Sequence, residues 1–228
     1  MWEMWMPEVF ADLVGLQLAG PAFTESLLNL LWLPAAMVTS FNPLDEHPTP
    51  YVRILMNTAY IRTLAEDAPL LAGHADEIEQ RWLGIYSAQP KFQPYLDDFA
   101  NVFEALMDTP LQALKGNTVR ALMPYTKGDD TRIRDAVNYL LTGDHAPAAK
   151  SLNPRHCVCI AQLAVKEAAR QAANSAKPAA ETAAELSAQL DRINTLTNTL
   201  TRENTPSVLR GGTSNAHRNF IAGFLDVI

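Results

Sequence analysis

The sequence has little that would support disulfide, metal-cluster or nucleic-acid chemistry. Only two cysteines occur among its 228 residues, Cys157 and Cys159. A single residue separates them, which is too close for an easy disulfide, and two are too few for a zinc cage. We interpret them as reduced thiols among apolar neighbours. The net charge is -7 and Lys and Arg form no cluster, so a nucleic-acid partner is not expected.

Signals for secretion and for membrane insertion are also missing. No basic segment precedes an apolar run with a small-residue cleavage site, so a cytoplasmic location is expected. The longest uncharged stretch, residues 26–44, contains Pro34, Pro43 and two asparagines. We therefore predict that this stretch is buried in the protein, and no membrane span is expected.

Long strand-like alternation is absent as well, and apolar spacings of three and four residues recur instead. The predicted fold is all-α, a multi-helix bundle with a long C-terminal helical hairpin. A domain boundary is placed after residue 66, dividing a segment that carries the site motifs (1–66) from a helical bundle (67–228). The predicted helices cover 7–20, 22–32, 51–64, 74–88, 92–108, 129–142, two long stretches after Pro154 that are separated near 174–178, and 217–228, with a linker at 204–216.

One face of the second long stretch carries an apolar stripe. Its residues follow steps of four, three, three and four: Leu186, Leu190, Ile193, Leu196 and Leu200. Because the pattern lasts only two heptads, packing inside the chain's own bundle is favoured over a coiled-coil partner. Both interpretations stay open.

Glu8 and Asp12 stand four residues apart in EVFAD, so their carboxylates project from one helix face about one turn apart. A solvated acidic pair near a helix N-terminus is the ordinary interpretation. The alternative is a metal site in which one carboxylate binds zinc and the other orients a ligating histidine. Further along the chain, DEHPTPYVRI places His47 before two prolines and before Arg53 at the start of a helix.

In this order, EVFAD, GPAF and HPTPYVRI resemble the C-terminal part of the catalytic region in HtpX-type and CAAX-prenyl-protease-type zinc metallopeptidases. The resemblance covers residues 8–54. It implies that Glu8 matches the third zinc ligand and Asp12 the acidic residue one turn later. His47 and Arg53 match the later motif, HPPxxxRI in that family, and would support the site without binding the metal.

The chain departs from that family in one respect that decides its expected activity. The family takes two histidine ligands and its general base from an HExxH helix upstream of ExxAD, and only seven residues precede Glu8 here. The five histidines include no pair spaced by four, so no helix presents two imidazoles. The catalytic set is therefore incomplete, and zinc binding is expected only if a complementary HExxH is supplied from elsewhere.

Two functions follow from this pattern. The first is a metallopeptidase-like protein, truncated, split or degenerate, that is inactive alone and needs HExxH from another source. The second is a non-catalytic all-helical module that binds a protein partner. An HExxH sequence encoded directly upstream or nearby would favour the first, and its absence the second.

Two structural predictions accompany these hypotheses. The side chain of Arg53 should point back to Glu8 or Asp12, because two buried acids need a cation or a metal. The aromatic N-terminus should need a cover, supplied by a homo-oligomer, a protein partner or the chain's own C-terminal helices. The residues concerned are Trp2, Trp5, Met6 and Phe10.

Overall fold

The structure is a computed structural model that describes residues 2–144 and 152–204. Within these ranges the fold is all-α, as predicted, and the sole β feature is an isolated bridge between Leu111 and Asn117. The helices are α1 (Trp2–Ala19), α2 (Pro21–Leu30), α3 (Ala35–Val38), α4 (Pro50–Leu64), α5 (Leu70–Tyr86), α6 (Gln93–Leu96), α7 (Phe99–Phe103), α8 (Val119–Leu122), α9 (Lys127–Thr142), α10 (Pro154–Ala173) and α11 (Ala179–Asn204). The predicted helix at 217–228 and the predicted linker beyond residue 204 lie outside the described residues.

Helix α1 begins at Trp2, so the prediction that Pro7 occupies the first helical position is wrong. Pro7 lies inside the helix, where it has no N–H to donate to the carbonyl of Glu3. The turn before the proline persists because Trp5 is completely buried and anchors it. The helix ends at Ala19. The next residue, Gly20, has a φ of 61°, which is disfavoured for residues with a Cβ, and Pro21 then opens α2.

The single helix predicted over 92–108 is in fact several short elements. A 3-10 turn at Pro90–Phe92 is followed by α6, by α7 and by a π-helical turn at Glu104–Asp108. Pro90 and Pro94 each stand at the start of an element, where the missing N–H is tolerated. The short helices α3 and α8 were not predicted, because four residues are too few to show a helical period.

Helix α4 was predicted over 51–64, and the structure confirms it with one further residue at the start. It contacts α1, α2, α5, α6 and α7, which makes it the central helix of its unit. Val52, Leu55 and Met56 are buried, and Ala59 is half-buried. The helix is covered on most sides, so a charged side chain on it must find partners within the protein.

The chain forms two compact units, Met1–Thr131 and Arg132–Ile228. The boundary predicted after residue 66 falls inside the first unit, where α4 and α5 on either side of it pack together. In the second unit α10 and α11 pack on each other, and Ile193 and Leu200 of the apolar stripe are buried.

Two further observations concern the cysteines and the helix lengths. Cys157 and Cys159 are free and buried, and burial raises the pKa of the Cys157 thiol. This agrees with their interpretation as reduced thiols. None of the helices that the structure describes is both long and apolar enough to cross a bilayer.

Candidate functional site

Arg53, near the start of α4, joins the two acids of α1. Its Nε donates to Asp12 Oδ2 at 2.9 Å and its Nη2 to Asp12 Oδ1 at 2.7 Å, a bidentate pair. The same Nη2 lies 2.8 Å from Glu8 Oε1. The prediction that Arg53 points back to these carboxylates is therefore confirmed. Such planar, charge-assisted pairs are stronger than neutral hydrogen bonds and fix the orientation of both partners.

The four motif residues differ in how far solvent reaches their side chains. Those of Asp12 and Arg53 are 5% and 11% exposed, that of Glu8 is 33% exposed and that of His47 is 69% exposed. Burial raises the pKa of Asp12, and the hydrogen bonds and positive charge of Arg53 oppose this shift. The site is therefore layered, with a buried Asp12–Arg53 pair behind a Glu8 carboxylate that solvent can reach.

His47 reaches the site from the loop before α4. Its Nδ1 lies 3.3 Å from Glu8 Oε2, and its backbone N–H donates to Asp45 Oδ1 at 3.1 Å. The indole of Trp5 donates to the carbonyl of Asp45 at 3.0 Å, which ties this loop to α1. No local sequence pattern predicts this role for Trp5, because the contact spans 40 residues.

These residues surround a pocket of about 420 Å³. Glu8, Asp45 and Arg53 form its charged part, and His47 adds an imidazole. Its apolar part includes Leu31, Met37, Pro48 and Pro50. The pocket therefore offers an acidic end next to an apolar wall, which is the composition of many sites for small ligands or single side chains.

A zinc ion does not fit the residues present in this pocket. A catalytic zinc needs three protein ligands and an open position for water. Glu8 and His47 offer two donors, and no group of three or more His, Cys, Asp or Glu side chains suited to a metal occurs in residues 2–144 and 152–204. The Glu8 carboxylate is also held by Arg53, so it would have to exchange a partner to bind a metal.

The N-terminal aromatic residues find most of their cover inside the first unit. Trp5 is completely buried, and its ring packs near those of Trp2, Phe41 and Tyr95. Residues 41 and 95 of the first unit therefore contribute to its cover. Trp2, Met6 and Phe10 are half-buried, so the argument that the whole cluster requires a partner no longer holds for Trp5.

The apolar surface lies elsewhere, in a segment that the sequence led us to expect as buried. Leu27, Leu28 and Val38 are buried, but five large apolar residues of 26–44 are exposed. They are Leu30 (72%), Trp32 (57%), Met37 (57%), Phe41 (37%) and Leu44 (80%). The prediction was wrong because α2 ends at Leu30, and the chain after it follows the surface beside the pocket.

Comparison with known proteins does not assign the chain to a family. No family model matches it, and no curated protein and no solved structure matches it either. Function must therefore be argued from the geometry of the site.

Proposed function

We propose that this chain is a metallopeptidase-like protein that lacks its own HExxH zinc-binding helix and is inactive as a peptidase by itself. In this proposal Glu8 is the one zinc ligand that the chain supplies. Asp12, His47 and Arg53 hold Glu8 in place. The remaining ligands and the general base would come from an HExxH helix on another segment or chain.

The observation that carries the proposal is that the two acids differ in burial and in their contacts. Asp12 is buried and accepts hydrogen bonds from Nε and Nη2 of Arg53, so it is suited to holding the site together. Glu8 is the carboxylate that faces the pocket and remains accessible. The resemblance assigns the metal to Glu8 and a supporting role to Asp12, and this difference in burial supports that assignment.

Zinc titration in the presence of a synthetic helical peptide that carries HExxH tests the proposal. We expect the chain and peptide together to bind zinc at least about tenfold more tightly than either one alone, because a third ligand is added. Glu8→Gln should abolish the gain, and Glu3→Gln, which changes an exposed acid of the same helix, should preserve it.

Two results would count against the proposal. A gain that survives Glu8→Gln would mean that the peptide binds zinc without this site. One zinc bound tightly by the chain alone would mean that the set of ligands is already complete.

The second candidate function, a non-catalytic helical module that binds a protein, has its own supporting observation. Large apolar side chains at 30–44 are exposed, and one of them, Met37, lines the pocket. Exposed apolar side chains of this size are common at contact sites. This function does not require a metal.

A further inference from the structure

The exposed apolar residues lie next to the pocket along the chain. We call Leu30, Trp32, Met37 and Leu44 the apolar rim. Met37 itself lines the pocket, Leu30 and Trp32 flank the lining residue Leu31, and Leu44 precedes the lining residue Asp45. Each residue of the apolar rim is therefore exposed and either lines the pocket or is the sequence neighbour of a residue that lines it.

The charge of the pocket is not balanced. Two carboxylates line it, those of Glu8 and Asp45, with the single guanidinium of Arg53, so the formal charge of the lining is -1 with His47 counted as neutral. The buried carboxylate of Asp12 does not line the pocket and is paired with Arg53. Arg53 already donates hydrogen bonds from Nε and Nη2 to Asp12. The second oxygen of Glu8 has His47 as its neighbour, and that side chain is mostly exposed. A cation in the pocket would gain a carboxylate partner without displacing Arg53.

We infer that the pocket and the apolar rim bind a peptide segment of a partner protein. The segment would place a Lys or Arg side chain against Glu8 and large apolar side chains on the rim. The inference rests on the second proposed function, that the chain binds protein, and not on zinc chemistry. Charge complementarity favours a cationic side chain next to Glu8, and the apolar rim favours large apolar side chains near that cation in the segment.

A second copy of the chain matches this surface less well. The protein is acidic overall, with 25 Asp and Glu against 18 Lys and Arg, so two copies repel at long range. Within the pocket a second copy would have to bring one of its few cations to an acidic site. A cationic amphipathic segment can place its cation at the acidic pocket and its apolar side chains on the apolar rim at the same time.

The test uses a labelled synthetic peptide that forms an amphipathic helix with leucines and one central lysine on its apolar face. Two matched peptides carry glutamine or glutamate in place of that lysine. Fluorescence anisotropy measures their binding to the full chain, with a chelator present so that zinc plays no part. We expect the lysine peptide to bind at least about fivefold more tightly than the glutamine peptide, and the glutamate peptide to bind worst.

Protein variants locate the surface. Glu8→Gln should remove the preference for lysine, and Trp32→Ser with Leu44→Ser should weaken all three peptides. Leu122→Ser, at an exposed leucine of α8 that does not line the pocket, is the matched control and should change nothing. Circular dichroism of each variant separates lost binding from lost folding.

Three outcomes would overturn the inference. If no peptide binds, the proposal that this surface binds protein fails with it. If binding needs the rim but is indifferent to lysine or to Glu8, the surface binds protein but the cationic assignment is wrong. If sedimentation shows a dimer that Trp32→Ser dissociates and that excludes the peptide, the occupant is a second copy.

Discussion

Replacing Arg53 by methionine tests the energetic basis of the site. The change preserves an unbranched apolar stem on α4 and removes the cation that both Asp12 and Glu8 contact. The Asp12 carboxylate is nearly inaccessible to solvent, so it would remain buried without a counter-ion. Removing one partner of a buried pair costs about 3–5 kcal/mol, and we expect about 3 kcal/mol because Glu8 is partly solvated.

Arg62 provides a control on the same helix. Its guanidinium lies 2.8 Å from Asp76, but both side chains are substantially exposed. Exposed pairs contribute about 1 kcal/mol or less, so Arg62→Met should be mild. The double variant Arg53→Met with Asp12→Asn should recover part of the loss, because it removes the uncompensated charge together with the cation.

The effect should also depend on pH. Burial raises the pKa of Asp12 in the folded protein, and Arg53 opposes that shift, so Arg53→Met should raise this pKa further. A folded-state pKa above the unfolded value means that the folded chain holds the proton more tightly. Stability therefore falls as the pH rises through the folded pKa. The loss in Arg53→Met should be largest at neutral pH and shrink in acid, where Asp12 is protonated.

Tryptophan fluorescence during urea unfolding is the appropriate assay. All four tryptophans lie in the first 82 residues, so the signal reports the unit that contains Arg53. The reasoning is refuted if Arg53→Met costs no more than Arg62→Met. It is also refuted if Asp12→Asn makes the loss worse.

The other predictions concern the metal, the aromatic N-terminus and one helix contact. The thermal midpoint of the isolated chain should not change when chelator or zinc is added, and calorimetry that finds one tightly bound zinc per chain would contradict this. Trp5→Ala should destabilise the first unit by about 3–5 kcal/mol, whereas Trp32→Ala should cost less than about 1 kcal/mol, because the first ring is buried and the second exposed. Equal costs in urea unfolding would show that this difference in burial is wrong. Gly15→Ala should destabilise by about 1–3 kcal/mol, because a Cβ there would lie 2.5 Å from the ring of Phe23. Gly84→Ala, which meets nothing within 4 Å, should stabilise by up to about 1 kcal/mol, and thermal melts of the pair check the sign.

The sequence predicted the helices whose periodic pattern is long enough to read. Helix α4 and the long helices α10 and α11 begin and end close to their predicted bounds, because their apolar period persists and a proline opens or directly precedes each of them. The short helices between residues 90 and 122 could not be predicted, because three to five residues are too few to show a helical period of apolar positions. The start of α1 was wrongly predicted at Pro7, because burial of the turn before a proline cannot be predicted from local sequence.

Some features of the candidate site could also be predicted from the sequence, and others could not. The spacing of Glu8 and Asp12 placed both acids on one helix face. Because two buried acids need a cation or a metal, Arg53 was predicted to point back to them. Which acid is buried, how His47 approaches Glu8, and the role of Trp5 in holding that loop depend on contacts between residues some 40 positions apart. The exposure of Trp32 and Leu44 was likewise decided by the path of the chain after α2. Local sequence sets which side chains share a helix face, whereas burial depends on what packs against that face, and only the tertiary structure determines it.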